Sequence, residues 1–511
     1  MFSTRDLAQI QQHGLSQASA DRQQNIVNQS GIYVNTVKPA LKSDGLFAFE
    51  EQTINDMISN YSAQIAGEKI VKFVPASGAA TRMFKDLFTA LEMLSNNEKT
   101  DNFNNSVSVF FENLPKFAFF ETLKESLASK NLDIHTLLAE KNYQSILLHL
   151  LTEQGLNYGN LPKGLLLFHR YGQNMRTALE EHLAEAADYS AGNDKVAHLH
   201  FTVSPEHITP FQSHCKEAVP KYEKLHGITY NIDFSTQHAS TDTMAFTAEN
   251  EPFRDKNGNL LFRPGGHGSL IENLNTIDAD IVLIKNIDNV TLDKYKSDTV
   301  TYKKLLICFL LSLRNQIFEY LNIFDTQSLS VNKIKGIENF LQKMFFIPFG
   351  DEYAQLPLLE KQNYVYQLLN RPIRVCGMVK RENEPGGGPF WVKDASGNVS
   401  LQIVETSEID TSDTKQAENL ENSAFFNPVD LACSIKNHKG ERFNLQHFID
   451  HSRYFISEKS HEGKTLKAIE NPGLWNGAMS DWLTVFVAVP LSTFTPVKTV
   501  NDLLREEHVE V

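Results

Sequence analysis

Five short stretches of the 511-residue sequence carry side chains suited to holding phosphate. The first is Ala76-Ser77-Gly78-Ala79-Ala80-Thr81-Arg82, small residues running into an arginine. A loop of small residues that opens a helix lets backbone N–H groups converge on anionic oxygens, where the helix dipole also favours negative charge. The Arg82 guanidinium, at the start of that helix, can then fork onto a pyrophosphate. The stretch has neither the Gly-Lys-Ser/Thr ending of a P-loop nor a G-x-G-x-x-G pattern. Its alternative reading is a tight turn that packs a strand against a helix.

The second stretch is Arg263-Pro264-Gly265-Gly266-His267-Gly268. Its three glycines permit close backbone approach to a flat ligand, and His267 can exchange a hydrogen bond with a base or a phosphate. A surface turn with an ordinary histidine fits the same residues. The third is Asp288, flanked by Asn286 and Asn289, directly after an apolar run. A carboxylate beyond the end of a strand is a natural Mg²⁺ ligand, and Asp is also a common turn residue. The last two are lysines: Lys163 in Pro162-Lys163-Gly164-Leu165 and Lys498 in Pro496-Val497-Lys498-Thr499. Each can serve phosphate as a point charge or remain a solvated surface group.

Elements that would position these residues follow from the pattern. Ile70-Val71-Lys72-Phe73-Val74 predicts a strand, and Phe84, Leu87, Phe88 and Leu91 predict a helix from Thr81. Strands are expected at 196–203, 228–234, 281–284 and 483–489, with a helix between the first two and a short one at 270–274. Strands alternating with helices imply a mixed α/β fold, a mostly parallel sheet flanked by helices. Residues 1–64 read as an N-terminal helical appendage to a core of 65–511. Helical insertions are expected at about 95–160 and 302–368. Thr499 followed by Asp502 predicts a capped helix start.

Composition excludes several classes. With 41% hydrophobic residues the chain has material for a large core and is not disordered. Acidic residues outnumber basic ones 62 to 48, for a net charge of −14 without a basic stripe. That disfavours nucleic acid as a partner. The four cysteines, Cys215, Cys308, Cys376 and Cys433, are far apart and form no CxxC pair. The greasiest run, 305–313, is about half a membrane span, so no membrane partner is expected. Residues 1–24 are polar and Gln-rich, without a secretory pattern, and a cytoplasmic location is expected.

In this order the motifs resemble those of sugar nucleotidyltransferases with a GT-A-like fold, specifically the eukaryotic-type UDP-sugar pyrophosphorylases. The loop ending Thr81-Arg82-Met83 is similar to that family's first loop, Pro264 to Gly268 to its P-G-G-H-G motif, and Asn286-Ile287-Asp288-Asn289 to its N-x-D-N. Phe494 to Leu504 is similar to its late F-x-P-V-K-T-x-x-D-L-L. The whole chain also resembles a bacterial family of unknown function associated with Bacteroidetes-like genomes. Departures are Ser77 and Ala80 in place of two glycines, a P-K-G-L motif about 80 residues later than usual, and Phe234-Ser235-Thr236-Gln237, one residue longer than the uracil-side pattern.

The resemblance implies transfer of a nucleotidyl group from an NTP, UTP by analogy, to a sugar 1-phosphate, with release of pyrophosphate. It implies Asp288 as the Mg²⁺ ligand, and Arg82, Lys163 and Lys498 on phosphates as the catalytic groups. It further implies Gly78, Thr81, Gly265, Gly266, His267 and Asn289 as nucleotide-binding residues. A non-catalytic nucleotide or nucleotide-sugar binding protein on the same scaffold is the alternative, motivated by Ser77 and Ala80. The sugar, the base and the oligomeric state do not follow from the sequence.

Overall fold

An apolar run with no solvent face, Ile70 to Val74, forms the strand Ile70–Pro75, as expected of a strand covered on both sides. It pairs in parallel with Val196–Thr202, which pairs in parallel with Thr229–Ser235. The computed structural model describes residues 2–29, 33–78, 80–98, 100–327, 329–382, 386–461 and 463–510. Ala79 of the first motif lies outside the described residues. The chain divides into two compact units, one made of 1–69, 236–284 and 304–489, the other of 70–235, 285–303 and 490–511.

The second unit contains these three parallel strands with the helices Lys85–Ser95, Ala178–Tyr189 and Ile208–His226. Ile208–His226 stops at Gly227, whose φ of +66° is readily adopted only without a Cβ. Between residues 95 and 160 the chain is helical, in Asn105–Glu112, Phe120–Ala128, Ile134–Ala139 and Tyr143–Leu151. Their apolar faces, including Phe110, Leu123, Leu147 and Leu150, join one core with Val74 and Phe201 from the strands and Val497 and Leu503 from the last segment. The stretch is thus integral to the unit's core.

In the first unit the strand order is Leu41–Lys42, Gly45–Phe47, Leu483–Ala488, Ile373–Lys380, Asp430–Ser434 and Ile281–Lys285, whose last residue is assigned to the second unit. The first four run parallel to their neighbours, and Asp430–Ser434 is antiparallel to Ile373–Lys380. Helices Val331–Phe345 and Leu358–Leu369 belong to this unit. The fold is therefore mixed α/β, with mostly parallel strands flanked by helices. Among the described residues, no helix is long and apolar enough to cross a membrane. All four cysteines are buried free thiols.

Three local expectations need correction. Residues 1–64 hold helices Thr4–Gln12 and Gln17–Asn28 but also strands Thr36–Pro39, Leu41–Lys42 and Gly45–Phe47. Thr36–Pro39 and Gly45–Phe47 owe their strand character to long-range pairing, with Gly388–Lys393 and Leu483–Ala488, which a local polar pattern does not reveal. The α-helix after the first motif begins at Lys85, preceded by the 3₁₀ turn Ala80–Arg82. The capping box of Thr499 and Asp502 forms, but it opens the short 3₁₀ helix Val500–Leu504.

Candidate functional site

Three distant segments of the second unit meet at Asp288. The apolar strand Ile281–Lys285 ends, and the chain turns through Asn286 to Asn289. An isolated antiparallel bridge joins Asn289 to Pro496, and Val497 N–H donates to the Asp288 carbonyl at 3.0 Å. Asn289 completes this zipper: its Oδ1 accepts from Thr495 N–H at 2.9 Å, and its Nδ2 donates to the Thr493 carbonyl at 3.5 Å. Asn289 is buried, so its amide is committed to backbone and not open to a nucleotide.

The zipper lays Lys498 against Asp288. Its Nζ lies 3.1 Å from Oδ2 and 3.4 Å from Oδ1 of the carboxylate. The backbone around it is held by Asp502, whose Oδ2 accepts from the N–H groups of Lys498 and Thr499. Lys163 arrives from the 3₁₀ turn Lys163–Leu165 and donates to the same Oδ2 at 2.8 Å and to the Val497 carbonyl at 2.8 Å. Asp288 is 9% exposed at its side chain, Lys163 12% and Lys498 57%. Burial alone would raise the Asp288 carboxyl, but the two ammoniums more than offset it and hold it below the usual range. Two cations on one carboxylate leave the trio with a net charge of +1, a suitable seat for phosphate.

Lys163 also ties the first motif to this cluster, since its N–H reaches the Gly78 carbonyl at 3.4 Å. Gly78 is exposed, and a Cβ built on it meets nothing within 4 Å. Thr81 is exposed, with Oγ1 donating to the Gly159 carbonyl at 3.2 Å. Arg82 is exposed, and among the described residues its guanidinium has no hydrogen-bond or ion-pair partner. Ala80, which replaces a glycine of the resembled family, has no positive φ and is fully buried in the unit's core. It is a packing residue there and carries no left-handed strain.

The second motif belongs to the first unit. A Cβ on Gly265 would collide with Asn471 and the Thr241 carbonyl, and one on Gly268 with the Pro472 carbonyl. Gly266 has a φ of +77°. Packing and backbone conformation thus demand these glycines. His267 stacks on Trp475 with ring centroids 4.2 Å apart, and its Nδ1 accepts from Leu474 N–H at 3.1 Å. That bond places the ring proton on Nε2, which faces Glu405 Oε1 at 3.4 Å. Burial would raise the Glu405 carboxyl, but this histidine, with Asn476 and Trp475, holds it below its ordinary value. Sequence reading missed Glu405, whose only local signal is the capping box it forms with Glu408.

It also missed Lys72, Lys285 and Glu185, all buried in the second unit and ion-paired. A lysine inside Ile70-Val71-Lys72-Phe73-Val74 and another directly after Ile281-Val282-Leu283-Ile284 were the available signal, because a charge in an apolar strand requires a buried counter-ion. Among the described residues no group of three or more His, Cys, Asp or Glu side chains could hold a metal ion.

A family model described as a domain of unknown function (DUF4301) matches residues 3–509. No curated protein matches the chain. Among solved structures, the chain is similar to a UDP-N-acetylglucosamine pyrophosphorylase from Trypanosoma brucei in complex with an inhibitor. The identity is 11%, with 98% of this chain and 77% of that one covered and a TM-score of 0.47. It is similar to a point variant of UDP-glucose pyrophosphorylase from Leishmania major in complex with UDP-glucose, at 12% identity, 99% and 79% coverage and a TM-score of 0.45. A UDP-glucose phosphorylase from Trypanosoma brucei is similar at 13% identity, 99% and 80% coverage and a TM-score of 0.45.

Proposed function

Because the chain belongs to the DUF4301 family of unknown function, we propose an activity from its own residues: transfer of a nucleotidyl group from an NTP, with UTP the first candidate, to a sugar 1-phosphate. An oxygen of the sugar phosphate forms a bond to the α-phosphorus. The bond from that phosphorus to the bridging oxygen breaks, and the electron pair leaves with pyrophosphate. No protein nucleophile is required, only alignment and neutralisation of charge.

The observation that carries this reading is the convergence of Lys163 and Lys498 on Asp288, beside an exposed loop of small residues. Lys163, tethered by two hydrogen bonds, is the fixed cation. Lys498, more than half exposed, is free to swing onto an incoming phosphate while Asp288 holds it near. Arg82 is the unengaged guanidinium for the departing pyrophosphate. Gly78 and Thr81 offer backbone to the triphosphate, and Asn289 positions the Lys498 segment.

Mg²⁺ belongs to this reading as part of the triphosphate substrate. A single protein carboxylate, Asp288, suits an ion that takes most of its ligands from phosphates and water. When bound it supplies further neutralisation of phosphate charge. The purified protein with UTP, Mg²⁺ and a panel of sugar 1-phosphates should release pyrophosphate with at least one of them, and no release with any NTP would sink the proposal.

A second reading, a nucleotide-sugar binding protein without turnover, draws on the Asp288 carboxylate being already engaged by two lysines. Calorimetric binding of a UDP-sugar with no pyrophosphate exchange would select it.

A further inference from the structure

The second unit contains a charge cluster that the proposed reaction does not touch. Lys72, in the strand Ile70–Pro75, is 0% exposed, and Lys285, the last residue of Ile281–Lys285, is 1% exposed. Between them the Glu185 carboxylate, 0% exposed on the helix Ala178–Tyr189, gives one oxygen to each. Lys72 Nζ lies 2.8 Å from Oε2 and Lys285 Nζ 2.7 Å from Oε1. Tyr189 O–H donates to Oε2 at 2.9 Å, and Lys72 Nζ also donates to the His182 carbonyl at 3.3 Å. One turn earlier on the helix, His182 Nε2 lies 3.2 Å from the Ile287 carbonyl. A carbonyl only accepts, so Nε2 carries the proton. Burial and the nearby Lys72 keep this imidazole neutral.

Stability is a poor explanation for such a cluster. Burying three ions carries a large desolvation cost, and apolar residues of similar volume commonly serve a core as well or better. What an ion cluster provides and an apolar patch does not is direction, since each ammonium must point at its own oxygen. Each lysine stands on a segment that leads to the candidate site. The strand of Lys72 runs into the loop of Gly78, Thr81 and Arg82, and Lys285 precedes Asp288 by three residues. His182 grips the carbonyl of the residue next to Asp288.

We propose that Glu185 is a positioning residue: by bridging Lys72 and Lys285 it fixes, from one carboxylate, the strand that leads to the small-residue loop and the segment that carries Asp288. His182 is the second arm of the same clamp. This inference rests on the reading of Asp288 and the 76–82 loop as the reactive site, and its test is kept separable from that reading.

The test is hydrogen exchange by mass spectrometry on the full chain. Two variants are compared with the wild type: Lys285→Met, which leaves Glu185 paired with Lys72 and Tyr189, and Glu185→Gln. The expected result is exchange at least tenfold faster at the amides of Ala76, Ala80, Ile287 and Asn289, which are hydrogen-bonded in the structure, with the helices of 105–151 unchanged. Unchanged exchange at both loops in Lys285→Met, or an equal increase throughout the unit, would overturn the clamp. If Glu185→Gln fails to fold, Lys285→Met alone decides. As a coupling readout, Lys285→Met should lower kcat at least tenfold in the wild type but not in an Asp288→Ala background, whereas a purely structural effect would lower both. Faster loop exchange without pyrophosphate release by the wild type would keep the clamp and end the proposed reaction. Turnover with unchanged exchange would do the reverse.

Discussion

Lys163 and Asp288, 125 residues apart in the chain, share a hydrogen bond of 2.8 Å in a nearly closed environment. The lysine's other bond, to the Val497 carbonyl, ties the segment of Lys498 into the same contact. One ammonium therefore assembles the cluster as well as charging it, and this separates its expected behaviour from that of Lys498.

Replacing Asp288 by Asn should leave two ammoniums facing each other without a carboxylate. Breaking a buried ion pair typically costs on the order of 3 kcal/mol, and the melting temperature should fall accordingly in calorimetry. Pyrophosphate release should drop by about two orders of magnitude, as when an electrostatic group in a preorganised site is lost. Wild-type turnover in Asp288→Asn would remove this residue from the reaction.

Lys498→Ala offers the contrast. Its ammonium is largely exposed, and surface ion pairs contribute about 0–1 kcal/mol, so thermal stability should hardly change. Turnover should fall by about two orders of magnitude, within the range for losing one stabilising group in the transition state. A kinetic comparison with Lys163→Ala, which should lose both stability and turnover, checks the division of labour.

Two glycines make opposite predictions. Gly78→Ala meets open space, so folding should be unaffected while UTP affinity in calorimetry falls at least fivefold if backbone approaches phosphate there. Gly268→Ala drives a Cβ into the Pro472 carbonyl and should lower the melting temperature outright. Equal stability of the two variants would contradict the packing described.

Arg82→Ala should leave stability within about 0.5 kcal/mol, as for surface substitutions away from special features. Inhibition by pyrophosphate, read as a Ki for product, should weaken about tenfold. An unchanged Ki would free Arg82 of its assigned role.

Acid sensitivity should come from buried histidines. Burial, with His169 at 2.8 Å from its Nδ1, pulls His508 from 6.5 down to about 3. The folded state then binds fewer protons than the unfolded one between those values. Stability is complete above pH 6.5 and declines as pH falls, by up to about 1.4 kcal/mol per unit for one such group. Thermal melts at pH 7 and pH 5 should show this decline, and His508→Asn should reduce it. His182 shifts in the same direction and accounts for part of what remains.

Much of this arrangement was legible in the chain because it is locally encoded. The apolar run 281–284 placed Asp288 just past a strand end, and Thr499 with Asp502 marked the capped segment that follows Lys498. The 3₁₀ turn at Ala80–Arg82 was not legible, because the apolar spacing of Phe84, Leu87 and Leu91 is equally met by a helix starting earlier. Nor were the strands Thr36–Pro39 and Gly45–Phe47, whose partners Gly388–Lys393 and Leu483–Ala488 lie hundreds of residues away. The commitment of Asn289 to Thr493 and Thr495 escaped for the same reason: side-chain amides read alike whether they meet a ligand or a distant backbone. His267 is the sharpest case, since its stacking on Trp475 and its bonds to Leu474 and Glu405 are invisible in the glycine-rich motif that contains it.

The three-piece construction of the second unit has a consequence for how the molecule comes into being. Residues 490–511 emerge from the ribosome after everything else in that unit, yet they supply Val497, Val500 and Leu503 to its core and Lys498 to its charge cluster. Without them the unit would lack these core side chains and the second ammonium on Asp288, so its completion requires contacts that close across more than 300 residues of chain.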